Sequence, residues 1–292
     1  MRDPATLTFR SFDGAVITMQ RLALDGRPRL VLSHGNGFAI DGYRAFWSLL
    51  VRDFELVLFD LRNHGKSGAT VIEAHTIGAM AKDHARVAAE CRNAFGPRET
   101  YGVFHSVSAI AAALAGSSSL WDAVVLVDPP LVSLRSGDEY VRSADDRLAT
   151  FARARATRFG TVQALANAFS QGVGRNWTEG SALDMARAVT RPLAGGGVEL
   201  VCPGEYEARI YEQNRAVDSF GAVGAMRGPV AILGADPDAP RALHPALMSR
   251  IAAHRYGLAY EPVPGTSHML QIERPEAAAA ALRRLLAGMR NS

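Results

Sequence analysis

The sequence predicts an α/β protein: a mostly parallel sheet flanked by helices, with a helical insertion after the sixth strand. Three observations predict it. Short continuous apolar runs alternate with helical patterns through the first 130 residues and again after residue 227. Runs of that kind fit parallel strands covered on both faces. Between them, residues 131–226 carry helical periodicity and no apolar run of the earlier kind. Several of the runs end in a turn rich in glycine or polar residues, where an open parallel sheet forms its crevice.

Residues 6–22 alternate apolar and polar around Asp13-Gly14, a hairpin signal at a sheet edge. Arg29 to Ser33 is the next strand, followed by His34-Gly35-Asn36-Gly37-Phe38, a turn whose glycines let backbone N–H groups approach a ligand. Residues 42–51 read as a helix with Tyr43, Phe46, Trp47 and Leu50 on one face. Phe54 to Asp60 is a buried strand running into Leu61-Arg62-Asn63-His64-Gly65, where Asn63 and His64 read as parts of a tight turn rather than as catalytic groups. A helix over 74–94 follows.

Tyr101 to His105 is an apolar strand, and Ala109 to Ala113 a small-residue helix. Ser106 sits on the corner between them. A serine there either caps the helix or is lifted from the sheet beside helix N–H groups that would stabilise an oxyanion. Trp121 to Val127 is the sixth strand, closed by Asp128-Pro129-Pro130. In the insertion, 145–159, 161–170, 181–191 and 203–214 read as helices broken by glycines, among them Gly195-Gly196-Gly197. Its large apolar residues, Phe151, Phe159, Phe169, Trp177, Met185 and Tyr211, are expected to pack within it. Pro229 to Gly234 and Leu258 to Pro262 return to the sheet. They lead respectively into Asp236-Pro237-Asp238 and Gly265-Thr266-Ser267-His268, with helices over 243–256 and 275–289.

Composition narrows the function classes. With 292 residues, 48% of them apolar, the chain can bury a large core. A net charge of +3 is scattered, so no nucleic-acid surface is read. The densest basic cluster, Arg147, Arg153, Arg155 and Arg158, reads as a solvated helix face. Two cysteines, Cys91 and Cys202, suit a reducing cytoplasm and no disulfide framework. The N-terminus, with Arg2, Asp3, Arg10 and Asp13 and no long apolar stretch between them, does not read as a signal peptide, so none is expected. No run approaches the roughly 18 apolar residues of a membrane helix, so no membrane is expected. The eight histidines include no H-E-x-x-H and no other close ligand pair, so no metal is expected.

Serine at an elbow, an acid after a later strand and a histidine after the last strand resemble the α/β-hydrolases, whose triad runs Ser, Asp, His along the chain. The matching motifs are His34-Gly35-Asn36-Gly37, Asp60 to Ser67, Phe104-His105-Ser106-Val107-Ser108, and Gly265-Thr266-Ser267-His268 with Gln271, Glu273, Arg274 and Pro275. The elbow departs from G-x-S-x-G in having Phe104 and Ser108 at its flanks. The resemblance implies a core of 1–130 and 227–292 with a helical cap, or lid, over 131–226. It implies Ser106 as nucleophile, His268 as base, and an oxyanion hole from the backbone N–H groups of Asn36 and Val107. Gly35, Gly37, Phe38 and His105 would line the substrate pocket.

For the acid, Asp236 leads, since an Asp-Pro after this strand resembles many relatives; Asp238 and then Asp128 are the alternatives. His34-Gly35-Asn36 also resembles the haloalkane dehalogenases, where an asparagine helps hold halide, but those enzymes and the epoxide hydrolases use an aspartate where this chain has Ser106. The implied activity is a cofactor-free serine hydrolase, an esterase or lactonase acting on a small or medium carboxylic ester. A carbon–carbon bond hydrolase, a haloperoxidase-like perhydrolase and a non-catalytic ligand-binding member of the fold are the rivals. A homodimer is left open.

Overall fold

The computed structural model describes residues 5–22, 26–116, 120–134 and 139–290; Arg2 and Asp3 lie outside them. Strands β1 (Ala5–Arg10) and β2 (Val16–Leu22) form the edge hairpin, with Arg10 paired to Val16 across Asp13-Gly14. After β3 (Arg29–Ser33), the helix expected over 42–51 is three short turns: a 3₁₀ turn over Ile40–Tyr43, α1 (Arg44–Trp47) and a second 3₁₀ turn over Ser48–Leu50. Then come β4 (Glu55–Phe59), α2 (Ile77–Phe95), β5 (Thr100–His105), α3 (Val107–Leu114) and β6 (Ala123–Val127).

The segment between β6 and the next sheet strand holds α4 (Glu139–Ala154), β7 (Arg158–Phe159), α5 (Val162–Gln171), α6 (Ser181–Ala188), β8 (Thr190–Pro192), β9 (Val198–Leu200), α7 (Gly204–Asn214) and α8 (Ser219–Ala225). The purely helical expectation is therefore corrected: β7, β9 and β8 make a small antiparallel sheet. Gly196 and Gly197, at φ 91° and 80°, turn the chain between β8 and β9 instead of merely breaking a helix. Phe151 is 70% exposed and so is not packed within the insertion, whereas Phe169 and Met185 are buried there. The basic cluster is paired as well as solvated, Arg153 with Glu205 and Glu212, and Arg155 with Glu207. The chain closes with β10 (Val230–Gly234), α9 (His244–Tyr256), β11 (Ala259–Pro262), α10 (Leu270–Glu273) and α11 (Pro275–Arg290).

The main sheet has the order β1-β2-β4-β3-β5-β6-β10-β11. From β4 to β11 all neighbours are parallel, and β2 joins β4 antiparallel. Alternate residues feed two cores. Leu30, Leu32, Leu56 and Leu58 pack with Phe46 of α1 and Leu282 of α11. Val31, Val57, Phe59 and Phe104 pack with Met80 of α2 and Ile110 of α3. Burial on both faces is why these strands read as unbroken apolar runs. The parallel strands all point one way, so the turns after β3, β4, β5, β6, β10 and β11 gather at one edge. No helix among the described residues is long and apolar enough to cross a membrane.

Candidate active site

Ser106 follows the fully buried end of β5 and sits at φ 58°, ψ −124°, a conformation an L-residue adopts only where its surroundings force it. Its N–H donates to Val127 O and its carbonyl accepts from Ala109 and Ile110, so the corner is held on both sides. Gly35 lets the β3 turn come close to it: a Cβ there would lie 3.2 Å from the Ser106 Cβ and 3.1 Å from the His105 ring, tighter than ordinary contact. The departures from G-x-S-x-G are also explained. The Phe104 ring folds back over Gly102, whose missing side chain makes the room, and it packs against His84, Phe59 and Trp121. Ser108 is buried and bonds His84 Nε2 at 3.1 Å.

Three side chains from distant turns meet here. Ser106 Oγ lies 3.0 Å from His268 Nε2, and His268 Nδ1 lies 2.7 Å from Asp128 Oδ2. Asp128 is fully buried, turns at φ 42°, and its other oxygen accepts the Ala235 N–H at 3.0 Å. The leading choice of acid is thereby corrected. Asp236 does follow β10, but its carboxylate accepts the N–H groups of Gly265 and Asp238, at 2.8 and 2.9 Å. Those bonds hold its carboxyl below the ordinary range and tie the two loops together. Asp238 is exposed and pairs with Arg250 at 2.6 Å. Asp128, at the end of the strand next to β5, is the carboxylate that reaches His268.

The backbone N–H of Val107 opens α3 and so lacks an intrahelical acceptor. The turn after β3, which carries Asn36, comes up against this corner where Gly35 packs on Ser106. His105 does not offer a ring nitrogen to a pocket, as expected for a lining residue. Its Nε2 donates to His268 O at 2.9 Å, and its Nδ1 accepts from Tyr43 Oη at 2.8 Å. Tyr43 Oη in turn accepts the Gly35 N–H at 3.2 Å. Burial pushes His105 well below the usual histidine range, so it stays neutral beside His268. This chain from Gly35 through Tyr43 and His105 to the His268 backbone was not foreseen; the aromatic Tyr43 on a helix face gave no sign of its hydroxyl's partners.

Under the β3 turn lies a row of neutral histidines. His34 Nε2 accepts the Leu61 N–H, and His64 Nε2 accepts the Gly37 N–H at 3.0 Å. His64 and Asn63 are structural as expected: Asn63, at φ 63°, bonds His75 Nδ1 and accepts the Thr70 N–H. Burial lowers His34 to about 4, His64 to about 3 and His75 to about 2. The expectation of no close ligand pair is corrected, since His64, His75 and Cys202 place ligand atoms within 4.8 Å of one another. Both His64 nitrogens and His75 Nδ1 are already hydrogen-bonded, however. Among the described residues His75 Nε2 alone of these atoms has no partner; the Cys202 thiol donates to Pro203 O at 3.9 Å, and burial pushes it well up, against the thiolate a metal needs.

The insertion lies against the same turn. Asn36 Nδ2 donates to Glu207 O in α7 at 2.9 Å, and the Glu207 carboxylate, paired with Arg155, sits on Gly37, 2.6 Å from where a Cβ would be. Phe38 meets Phe169 and Trp177 with ring centroids 6.4 and 6.0 Å apart. Ser106 is 7% exposed beneath this cover.

Comparison with known proteins gives a family model, described as the alpha/beta hydrolase family, that matches residues 30–281. No curated protein matches the sequence. Among solved structures, the chain is similar to E-2-(acetamidomethylene)succinate hydrolase, at 18% identity and TM-score 0.78 over 97% of this chain and all of that one. It is also similar to a thioesterase domain from the curacin biosynthetic pathway, at 17% identity and TM-score 0.73 over 98% of this chain and all of that one. A third is a thermophilic esterase from Thermogutta terrifontis, at 16% identity and TM-score 0.68, covering 98% of this chain and 99% of that one. At these identities the likeness is one of fold.

Proposed function

The chain belongs to the alpha/beta hydrolase family, and from that premise we propose that it is a serine hydrolase cleaving a small or medium carboxylic ester or lactone. The observation that carries the reading is the unbroken line Ser106 Oγ–His268 Nε2–His268 Nδ1–Asp128 Oδ2, at 3.0 and 2.7 Å. His268 takes the Ser106 proton as Oγ attacks the substrate carbonyl. Asp128 holds the imidazole with Nδ1 protonated and stabilises the imidazolium that forms. The oxyanion is received by the N–H groups of Val107 and Asn36; one such donor is typically worth about 10²–10³ in rate. The imidazolium then protonates the leaving alkoxide, and an acyl-enzyme remains on Ser106. Water, deprotonated by His268, releases the acid and restores the serine.

In this reading residues 131–226 act as the cap, and Phe38, Phe169 and Trp177 form the apolar wall beside the acyl group. Cys91 and Cys202 are free, buried thiols, which suits the cytoplasm as its setting. The test is intact-protein mass after treatment with a fluorophosphonate probe. Wild type should gain one adduct and Ser106→Ala none, with turnover of 4-nitrophenyl esters lost by several orders of magnitude in the variant. A folded wild type that takes no adduct would sink the proposal.

A further inference from the structure

The Asn36 side chain carries more than the hydrolase reading uses. The residue is 6% exposed, and its carboxamide orientation is fixed by chemistry: the atom facing the Glu207 carbonyl at 2.9 Å must be the donor, Nδ2. Oδ1 therefore points elsewhere, and it is a buried acceptor with no hydrogen-bond partner among the described residues. Buried polar atoms are overwhelmingly paired, so a lone acceptor at this place calls for an explanation. Its neighbours cannot turn it round. Glu207 is held by Arg155 and by the Tyr211 hydroxyl, and α7 is tied down further by Arg209 and Gln213 on the His75 carbonyl. The same orientation commits one of the two Nδ2 hydrogens to the Glu207 carbonyl.

We propose that Asn36 Oδ1 is a substrate-recognising acceptor that selects acyl groups carrying an O–H or N–H donor close to the scissile carbonyl. The inference rests on the serine-hydrolase reading and deepens it. Asn36 offers its backbone N–H to the carbonyl oxygen of the substrate. A group bonded to its own side chain consequently lies within a few bonds of the reacting carbon. A 3-hydroxyacyl chain meets that description; a plain alkanoyl chain leaves Oδ1 unpaired in a closed site and loses the bond.

The experiment compares the 4-nitrophenyl esters of butyrate and 3-hydroxybutyrate on the intact protein, each kcat/KM divided by that ester's rate of alkaline hydrolysis. The hydroxy ester should be preferred on the order of 10-fold, the effect of one neutral hydrogen bond with its unpaired alternative. Asn36→Leu, which keeps the backbone N–H, should bring the ratio close to one. Equal normalised rates in wild type, or an unchanged ratio in Asn36→Leu, would overturn the assignment and leave Oδ1 as the seat of a water. The wild-type comparison stands even if the variant does not fold. Absence of a fluorophosphonate adduct together with no turnover of either ester would instead remove the hydrolase reading, and this inference with it.

Discussion

His268 and the buried histidines of this fold are chemically the same side chain in opposite surroundings. His34, His64, His84 and His105 are fully or almost fully buried, and burial holds each of them below the usual range. Three of them serve as neutral acceptors: His34 for Leu61, His64 for Gly37 and His105 for Tyr43. His268 has a side chain 24% exposed, one nitrogen on a buried carboxylate and the other on a serine hydroxyl. A histidine that must take and return a proton needs a counter-charge and an outlet. A histidine that must hold a loop needs neither, and in these buried sites a charge would be costly.

Removing the counter-charge breaks the comparison most severely. Asp128→Asn should lower kcat by about 10⁴, because the amide favours the wrong imidazole tautomer, while Asp236→Asn should stay near the wild-type rate. Steady-state kinetics on the two variants decides it, and the reverse result would return the acid to β10.

Acid sharpens the comparison next. The unfolded chain protonates its histidines from about 6.5, whereas folded His34 waits until about 4, His64 and His84 until about 3, and His75 until about 2. The unfolded state thus binds more protons in this window, and stability falls as pH drops below 6.5. Asp60 and Asp145, raised to about 6 by burial, act in the opposite direction but are outnumbered by the histidines. Urea midpoints at pH 7.5, 6 and 5 should fall in that order; a flat series would show that the buried rings are protonated in the fold.

The smallest effect is expected at Tyr43→Phe. It leaves the Gly35 N–H and His105 Nδ1 unpaired, at a cost of about 1–3 kcal/mol in urea unfolding. It should also lower kcat more than it changes KM, since the chain it cuts positions the β3 turn and His268 without touching substrate.

These residues also mark what a sequence can disclose. The central sheet strands were legible because burial on both faces leaves unbroken apolar runs, Ser106 because it ends such a run, and His268 because it lies in the turn after the last strand. The acid was not. Asp128 and Asp236 both follow a strand and precede a proline, and only the folded geometry, in which Asp128 bonds His268 and Asp236 bonds the Gly265 and Asp238 backbone, separates them. Strands of two or three residues such as β7 and β8 are too short to show a period. Phe104 looked out of place until Gly102 was seen under its ring, a compensation that involves both residues and is invisible at either one.

One contact has a wider meaning. Asp128 stands where the chain leaves the sheet for residues 131–226, and its Oδ1 is bonded to Ala235, shortly after the chain returns. Its own N–H is bonded to Leu233 O on the same returning strand. The exit and the re-entry are stitched together at the acid itself. The segment between them therefore leaves and rejoins the sheet at one closed seam, so a change of length or packing within it need not shift the strands on either side.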